Sequence, residues 1–358
     1  MINRLSKRTQ TRVAVIDAIR QETFTKGTKL PSERNLCLQL GVSRVTLGNV
    51  LRELAAEGWL ERRIGSGTYV AEELPAATLT TTSDQNSKIR NIGLIMGDFS
   101  TPVVSRLIEG IHRILSPDTC NLILKNPFAD YRNEIRYVEH LISSGVDALV
   151  VMTSFPHNDP NGIRFYHSVC QRHPVIMTDC ILRDGIPTVE VDNRRGGYLA
   201  ADYLLHAKPH AERIWLVSGN DALSTISERK LGFSEIVNEH RQITLLKATN
   251  IDDVPQCQVA VTSMLKHGLP DAIFMTSELI IAPLLKVLAE NGIDHSSMAL
   301  CCFDNFHSMA SLHNIAYIEQ PLIEVGMEVA RHLILLNSSH PPTSARRLLL
   351  APQLILPV

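Results

Sequence analysis

Residues 30–70, LPSERNLCLQLGVSRVTLGNVLRELAAEGWLERRIGSGTYV, read as helix, turn, helix and a two-stranded ribbon. Pro31 and Ser32 open a helix, with Ser32 placed to cap its amino end. Leu36, Leu38 and Leu40 are its apolar material, and Gly41 with Val42 makes a tight turn. Ser43 can cap the next helix, which the pattern places at about 44–57. There Leu47, Val50, Leu51 and Leu54 recur at i, i+3, i+4 and i+7 and form an inner stripe. Arg44, Gly48, Asn49 and Arg52 then face outward, with Thr46 at the margin. Gly58 suits the position just past the helix end. WLERR and TYV flank IGSG as two short strands about a glycine turn. Upstream, Val13, Ile16 and Ile19 hold helical spacing between Arg12 and Gln21, and Gly27 closes that unit.

A helix start carrying Ser43, Arg44 and Thr46 suits DNA. Its free amides favour phosphate, and an arginine can reach guanine edges in the major groove. Arg62 and Arg63, before the tip of the ribbon, can follow the adjacent backbone. Charge agrees with this. Of 35 Lys/Arg and 37 Asp/Glu in 358 residues, residues 1–70 hold 12 and 6, leaving 23 and 31 for the remainder. A basic small end on an acidic body points to a polyanion as the partner of the small end. The bland alternative is a solvated basic face.

The same stretch resembles the winged helix-turn-helix of GntR-family repressors over its whole length. LPSER, LGVSR-x-T, LR-L-x-x-EGWLERR and G-x-GT-V match in order and spacing. The resemblance implies that Arg34, Ser43, Arg44 and Thr46 contact DNA and that Gly67 sits at the wing tip. One departure stands out: many members carry arginine two residues after the threonine, where this chain has Gly48. Asn49 is the candidate to replace that contact.

Residues 74–89, LPAATLTTTSDQNSKI, are small, polar and aperiodic, and read as a linker. From residue 90 the pattern changes. NIGLIMG, NLILK, DALVVMT, PVIMTD, RIWLVSG, DAIFMTS and MALCCFD are apolar strand-like runs separated by helical segments such as 102–115 and 131–144. This rhythm predicts βαβ units with parallel sheets. The length favours two doubly wound lobes, the second starting near residue 190. In such folds ligands bind at the carboxyl ends of strands. Polar residues recur there: Asp98, Asp179, Ser277, Glu278, Asp304 and Gln320. They can hydrogen-bond hydroxyl groups, and Phe99 can cover an apolar sugar face. Each alone could equally be a helix cap.

Residues 90–358 resemble the effector domain of LacI-family repressors, relatives of periplasmic sugar-binding proteins. VDNRRGGYLAADYLL and the pairing of FDNF with QPLIEVG are the most specific pieces, alongside ERKLGF and PDAIFMTSELIIAPLLKVLAENGI. The resemblance places Asp98 and Phe99 on the first-lobe side, Asp179 near the hinge, Arg229 and Asp304 on the second-lobe side, and Gln320 at a crossover. Ser277 falls where an effector-contacting polar residue is common. Ser227 stands where sugar-binding members often carry a further arginine, and one strand ends in Thr-Ser-Glu in place of Ala-Asn-Asp.

The expected fold is α/β: an N-terminal winged helix-turn-helix at 1–73, a linker at 74–89, and a two-lobed, doubly wound, periplasmic-binding-protein-like domain at 90–358. The pairing resembles the arabinose-repressor subgroup. It implies a cytoplasmic, dimeric transcription regulator with operator DNA and a small sugar as partners. A nucleoside or purine effector is one alternative, and an α/β enzyme with a DNA-binding appendage is another. For the enzyme, Lys230 and Lys266 are the candidate cofactor lysines, and neither stands at a strand end. No catalytic residue, cofactor or metal is expected. GxxxxGK[ST], HExxH and GxSxG are absent, and neither the seven scattered cysteines nor His206, His210 and His240 have ligand spacing. No apolar run approaches the ~20 residues of a membrane span, and the polar, basic first residues do not read as a signal peptide.

Overall fold

The computed structural model describes residues 7–20, 23–56, 59–63, 67–72, 89–97, 102–117, 119–182, 185–240, 242–251, 253–307, 313–338 and 347–357. The chain divides into two compact units, residues 1–86 and 87–358. Apart from Ile89, the expected linker lies outside the described residues, as do Gly58, Asp98 and Phe99.

The first unit contains α1 (Lys7–Arg20), α2 (Glu33–Leu40), α3 (Arg44–Ala56), β1 (Leu60–Arg63) and β2 (Gly67–Val70). Ser32 caps α2, its Oγ accepting from Asn35 N at 3.3 Å, and Gly41 ends that helix in the left-handed region with φ 64°. Leu47, Val50, Leu51 and Leu54 are buried together with Ile16, Ile19, Leu36 and Trp59. Leu38 is not core; it is 76% exposed. On a helix it lies about 200° from Leu36, so α2 cannot bury both against one neighbour. β1 and β2 pair antiparallel, Leu60 opposite Val70 and Arg63 opposite Gly67. The stretch before α2 adds to the ribbon: Leu30 N donates to Thr68 O and Val70 N to Thr28 O.

The second unit holds two six-stranded sheets. Its first sheet orders as β13-β7-β6-β5-β3-β4 and is parallel throughout. The strands are β3 (Asn91–Ile95), β4 (Asn121–Lys125), β5 (Ala148–Val151), β6 (Val175–Thr178), β7 (Thr188–Val191) and β13 (Arg347–Leu350). Helices α4 (Val103–Ile114), α5 (Tyr131–Ser143) and α6 (Pro160–Cys170) connect them. The second sheet orders as β14-β12-β11-β10-β8-β9, with β14 antiparallel to its neighbour. It comprises β8 (Arg213–Val217), β9 (Thr244–Ala248), β10 (Ala272–Met275), β11 (Ala299–Phe303), β12 (Ala316–Glu319) and β14 (Gln353–Ile355). Its helices are α7 (Asn193–Ala207), α8 (Ser224–Glu239), α9 (Val254–Leu265) and α10 (Ile281–Glu290). The central strands β5, β6, β10 and β11 are buried along their whole length, which is why they read as unbroken apolar runs.

The lobes are not two successive halves. The chain crosses to the second sheet at Asp192, as the boundary near 190 anticipates. It then returns at Gln320–Pro321, because α11 (Leu322–Leu336) packs on α4, β6 and β7, and it crosses again between β13 and β14. Two glycine pairs set the helix positions. An added Cβ at Gly110 would lie 2.1 Å from Ile323 O, and one at Gly326 2.2 Å from Leu107 O, so α4 and α11 touch backbone to backbone. Between α7 and α8, a Cβ at Gly197 would meet Arg229 O at 2.2 Å and one at Gly232 would meet Arg194 O at 2.0 Å. Backbone cannot yield as a flexible side chain does. Gly232→Ala is therefore expected to cost about 2 kcal/mol by overpacking, lowering Tm by roughly 4–8 °C for a unit of this size. A Tm within about 1 °C of the parent protein would show that the helices part freely.

Candidate functional site

In the first unit, Ser43 Oγ accepts from Thr46 N at 3.1 Å and lies 2.8 Å from Thr46 Oγ1. This caps the start of α3. The other first-turn amides lack intrahelical acceptors, which favours an anion there. Arg34 on α2 and Arg44 on α3 are exposed, and Thr46 and Asn49 are half-buried. Arg52 Nη2 donates to Asn49 Oδ1 at 2.6 Å. In the ribbon, Arg62 stands opposite Thr68 and Arg63 opposite Gly67; their side chains lie outside the description. Gly67 opens β2 instead of lying within the turn. Its φ is 117°, a backbone conformation that calls for glycine, whereas the atom nearest an added Cβ, Lys29 Cε at 2.8 Å, belongs to a flexible side chain that can move aside.

In the second unit, four of the seven expected effector residues come together. Asp179 follows β6, Arg229 lies on α8, Asp304 follows β11, and Gln320 stands at the return crossover after β12. Arg229 is fixed three ways. Its Nε donates to Asn193 Oδ1 at 2.7 Å, Nη1 donates to Thr276 O at 2.8 Å, and the guanidinium lies 3.7 Å from the Phe303 ring centroid. Burial lowers its pKa, opposed by the charges of Asp304 and Asp179. Gln320 Nε2 donates to Asp304 Oδ2 at 2.7 Å, while its buried Oε1 has no partner among the described residues. Burial pushes the Asp304 carboxyl up to about 6, against the pull of Arg229 and the Gln320 bond. Asp179 is also raised by burial and held back by Arg229. Both aspartates have left-handed backbone, with φ 55° and 68°. Such conformations are costly outside glycine and concentrate at functional sites.

Ser277 is placed differently: its Oγ accepts from Leu279 N at 3.3 Å, capping a short 3-10 helix, the bland reading open to it from the start. Its neighbour Glu278 is buried and accepts from Phe306 N and from His307 N, the latter at 2.7 Å, so it shapes the loop after Asp304. Sequence reasoning gave no role to Asn193, Thr276 or Phe303. Phe303 precedes Asp304 in a uniformly buried strand, and Asn193 opens α7; neither carries a periodic signal. A buried Glu134 fixes a further strand-end loop, accepting from Thr153 Oγ1 and Tyr166 OH at 2.7 and 2.5 Å and from Ser154 N. Contacts also bridge the lobes: Ile181 N donates to Ser224 Oγ at 3.1 Å, and His157 N to Ala222 O at 3.2 Å. Lys230 is tied to Asp221 at 2.6 Å.

Strand-end carboxylates around one buried arginine, where two parallel sheets exchange strands, define a two-lobed small-molecule-binding domain, here carried behind a winged helix-turn-helix. Residues 90–350 match periplasmic binding proteins and the sugar binding domain of the LacI family, and the chain belongs to that family; residues 8–70 match the gntR family of bacterial regulatory proteins. The chain is 26% identical over 318 residues to an arabinose metabolism transcriptional repressor of Geobacillus stearothermophilus, covering 86% of this chain and 84% of that one. It is 23% identical over 300 residues to a ribose operon repressor of Halalkalibacterium halodurans, covering 82% and 87%. Among solved structures it resembles a LacI family transcriptional regulator from Enterococcus faecium with bound ribose, at TM-score 0.60 and 24% identity over 74% of this chain and 97% of that one. That last likeness is one of fold.

Proposed function

We propose that this protein is a transcriptional repressor of carbohydrate-utilisation genes. Its winged helix-turn-helix grips operator DNA, and a small sugar in the interlobe cleft controls the grip. The cluster of Asp179, Arg229, Asp304 and Gln320 at the lobe crossover carries this reading. Two carboxylates and an orphan amide oxygen present acceptors, and the arginine presents a donor, which suits a ligand rich in hydroxyl groups. Asp98 and Phe99, and Ser277 through its backbone or by a changed rotamer, complete the proposed lining. Arg34, Ser43, Arg44, Thr46, Asn49, Arg62, Arg63 and Gly67 form the proposed DNA face. The protein acts in the cytoplasm as a homodimer, because paired readers match paired half-sites. Sugar shifts the reader only through its differential affinity for two states of the sensor.

A thermal-shift screen over free pentoses and hexoses, sugar phosphates and nucleosides tests the effector. A true effector at 100 times its Kd stabilises by about 2.7 kcal/mol. A panel in which nucleosides alone shift Tm overturns the sugar reading, and consumption of a sugar overturns the non-enzymatic one.

Asp304 adds a pH test. With the folded-state pKa raised to about 6 from 3.8, its contribution to stability is full below 3.8 and is lost as pH rises through 6. Sugar hydroxyls donate to the ionised form, so affinity runs the other way and rises between pH 5 and 7 (roughly the window set by that pKa). Titration calorimetry should record this rise, and Asp304→Asn should flatten it. A flat profile in the parent protein would detach Asp304 from the ligand.

A further inference from the structure

We infer that Gly48 is the point where DNA comes closest to the recognition helix α3, and that Arg52, held by Asn49, is a specificity-determining contact beside it. The inference rests on the DNA-binding reading above.

It starts from the glycines. Of the seventeen described, seven have φ between 64° and 117°, where a side chain is strained. Seven more leave less than 3.0 Å between an added Cβ and a neighbouring atom. Internal structure therefore accounts for fourteen. The remaining three, Gly48, Gly97 and Gly219, have neither a positive φ nor a close neighbour. Gly97 and Gly219 follow β3 and β8, at the carboxyl ends of strands that face the proposed ligand site. There a missing side chain lets a ligand reach the backbone.

Gly48 has the same signature in the middle of a helix. A Cβ at 48 would meet nothing within 4 Å. Alanine there would strengthen the helix without touching the fold. A residue that weakens its own element and solves no packing problem has its purpose outside the unit. The position fits that role. Leu47, Val50, Leu51 and Leu54 close the buried side of α3, whose centre lies roughly 110° around the helix from Gly48. Arg44 and Arg52 are exposed one helical turn to either side of Gly48. Helical side chains lean toward the amino end, so Arg52 reaches back to Asn49 Oδ1 at 2.6 Å instead of swinging free. The result is a bare stretch of backbone between two arginines, one already oriented. A thymine methyl or a sugar edge can pack on the bare stretch while the arginines take base edges or phosphates.

The test uses the full-length chain and a duplex that it enriches from a random-sequence library. Gly48→Ala should raise the Tm of the N-terminal unit yet bind that duplex at least ~10-fold more weakly. Repeat enrichment with Gly48→Ala should return a changed base preference. Arg52→Ala and Asn49→Ala should each weaken binding by roughly 5-fold or more, with relaxed preference at one position. A Gly48→Ala protein with raised Tm and binding within ~2-fold of the parent overturns the close-approach assignment. A lowered Tm overturns it too, since that would reveal an internal role. Unchanged affinity and preference in Arg52→Ala overturn the contact. Failure of the parent chain to enrich any duplex overturns the DNA-binding reading itself, and this inference with it.

Discussion

Arg229→Ala should abolish the response to effector while leaving the DNA-binding unit folded. The side chain ties α8 to Asn193 at the first crossover and to the end of β10 at Thr276, and it lies over Phe303. It is also the charge that opposes the burial-raised pKa values of Asp179 and Asp304. Removing one member of such a buried group costs about 3–5 kcal/mol. Part of that is recovered when the aspartates protonate, so the loss in Tm should be smaller at pH 5 than at pH 7.5 (roughly one unit either side of the pKa of about 6). Two measurements decide the matter: Tm against pH without ligand, and the Tm shift at saturating sugar. A variant whose sugar-induced shift equals the parent's would take Arg229 out of the site.

Arg44→Ala should weaken operator binding by roughly 1–3 kcal/mol, or about 5- to 150-fold, if the guanidinium reads a base. The same change should leave Tm almost untouched, because Arg44 is exposed. The salt dependence of binding tells base from phosphate. Loss of a phosphate contact lowers affinity evenly across sequences and reduces the slope against log salt by about 1. Loss of a base contact lowers discrimination first. Equal affinity on every duplex would remove Arg44 from the interface.

The helix-turn-helix was legible because its signals are local. The stripe from Leu47 to Leu54, the caps at Ser32 and Ser43 and the ribbon around the glycine turn each depend on neighbours in the chain. Leu38 is exposed although it belongs to the same apolar run, because alternating leucines do not say which of them a short helix turns inward. In the second unit the buried central strands announced themselves, while β7, β9, β13 and β14 did not. β7 is interrupted by Glu190, and β9, β13 and β14 are only partly buried, so their apolar residues do not stand out as continuous core runs. The βα rhythm alone does not show the return of α11 and β13 to the first sheet, since it does not record which sheet an element joins; the resemblance, by placing Gln320 at a crossover, is the one pointer to it. The candidate site followed the same rule. Asp179, Arg229, Asp304 and Gln320 stand at strand ends or in a matching motif and could be named. Asn193, Thr276 and Phe303 matter through contacts across 36 to 74 residues of chain, which only the folded structure supplies.

The three crossings between the sheets bear on how such a protein can be assembled by inheritance. The reader and the sensor each occupy one unbroken stretch of sequence, so a single recombination event at the junction exchanges one reader for another. No single cut separates the lobes of the sensor. A break at residue 192 would strand α11 and β13 with the wrong partner and leave the first sheet without an edge. Readers are therefore free to be traded between lineages, whereas both halves of the ligand cleft descend together.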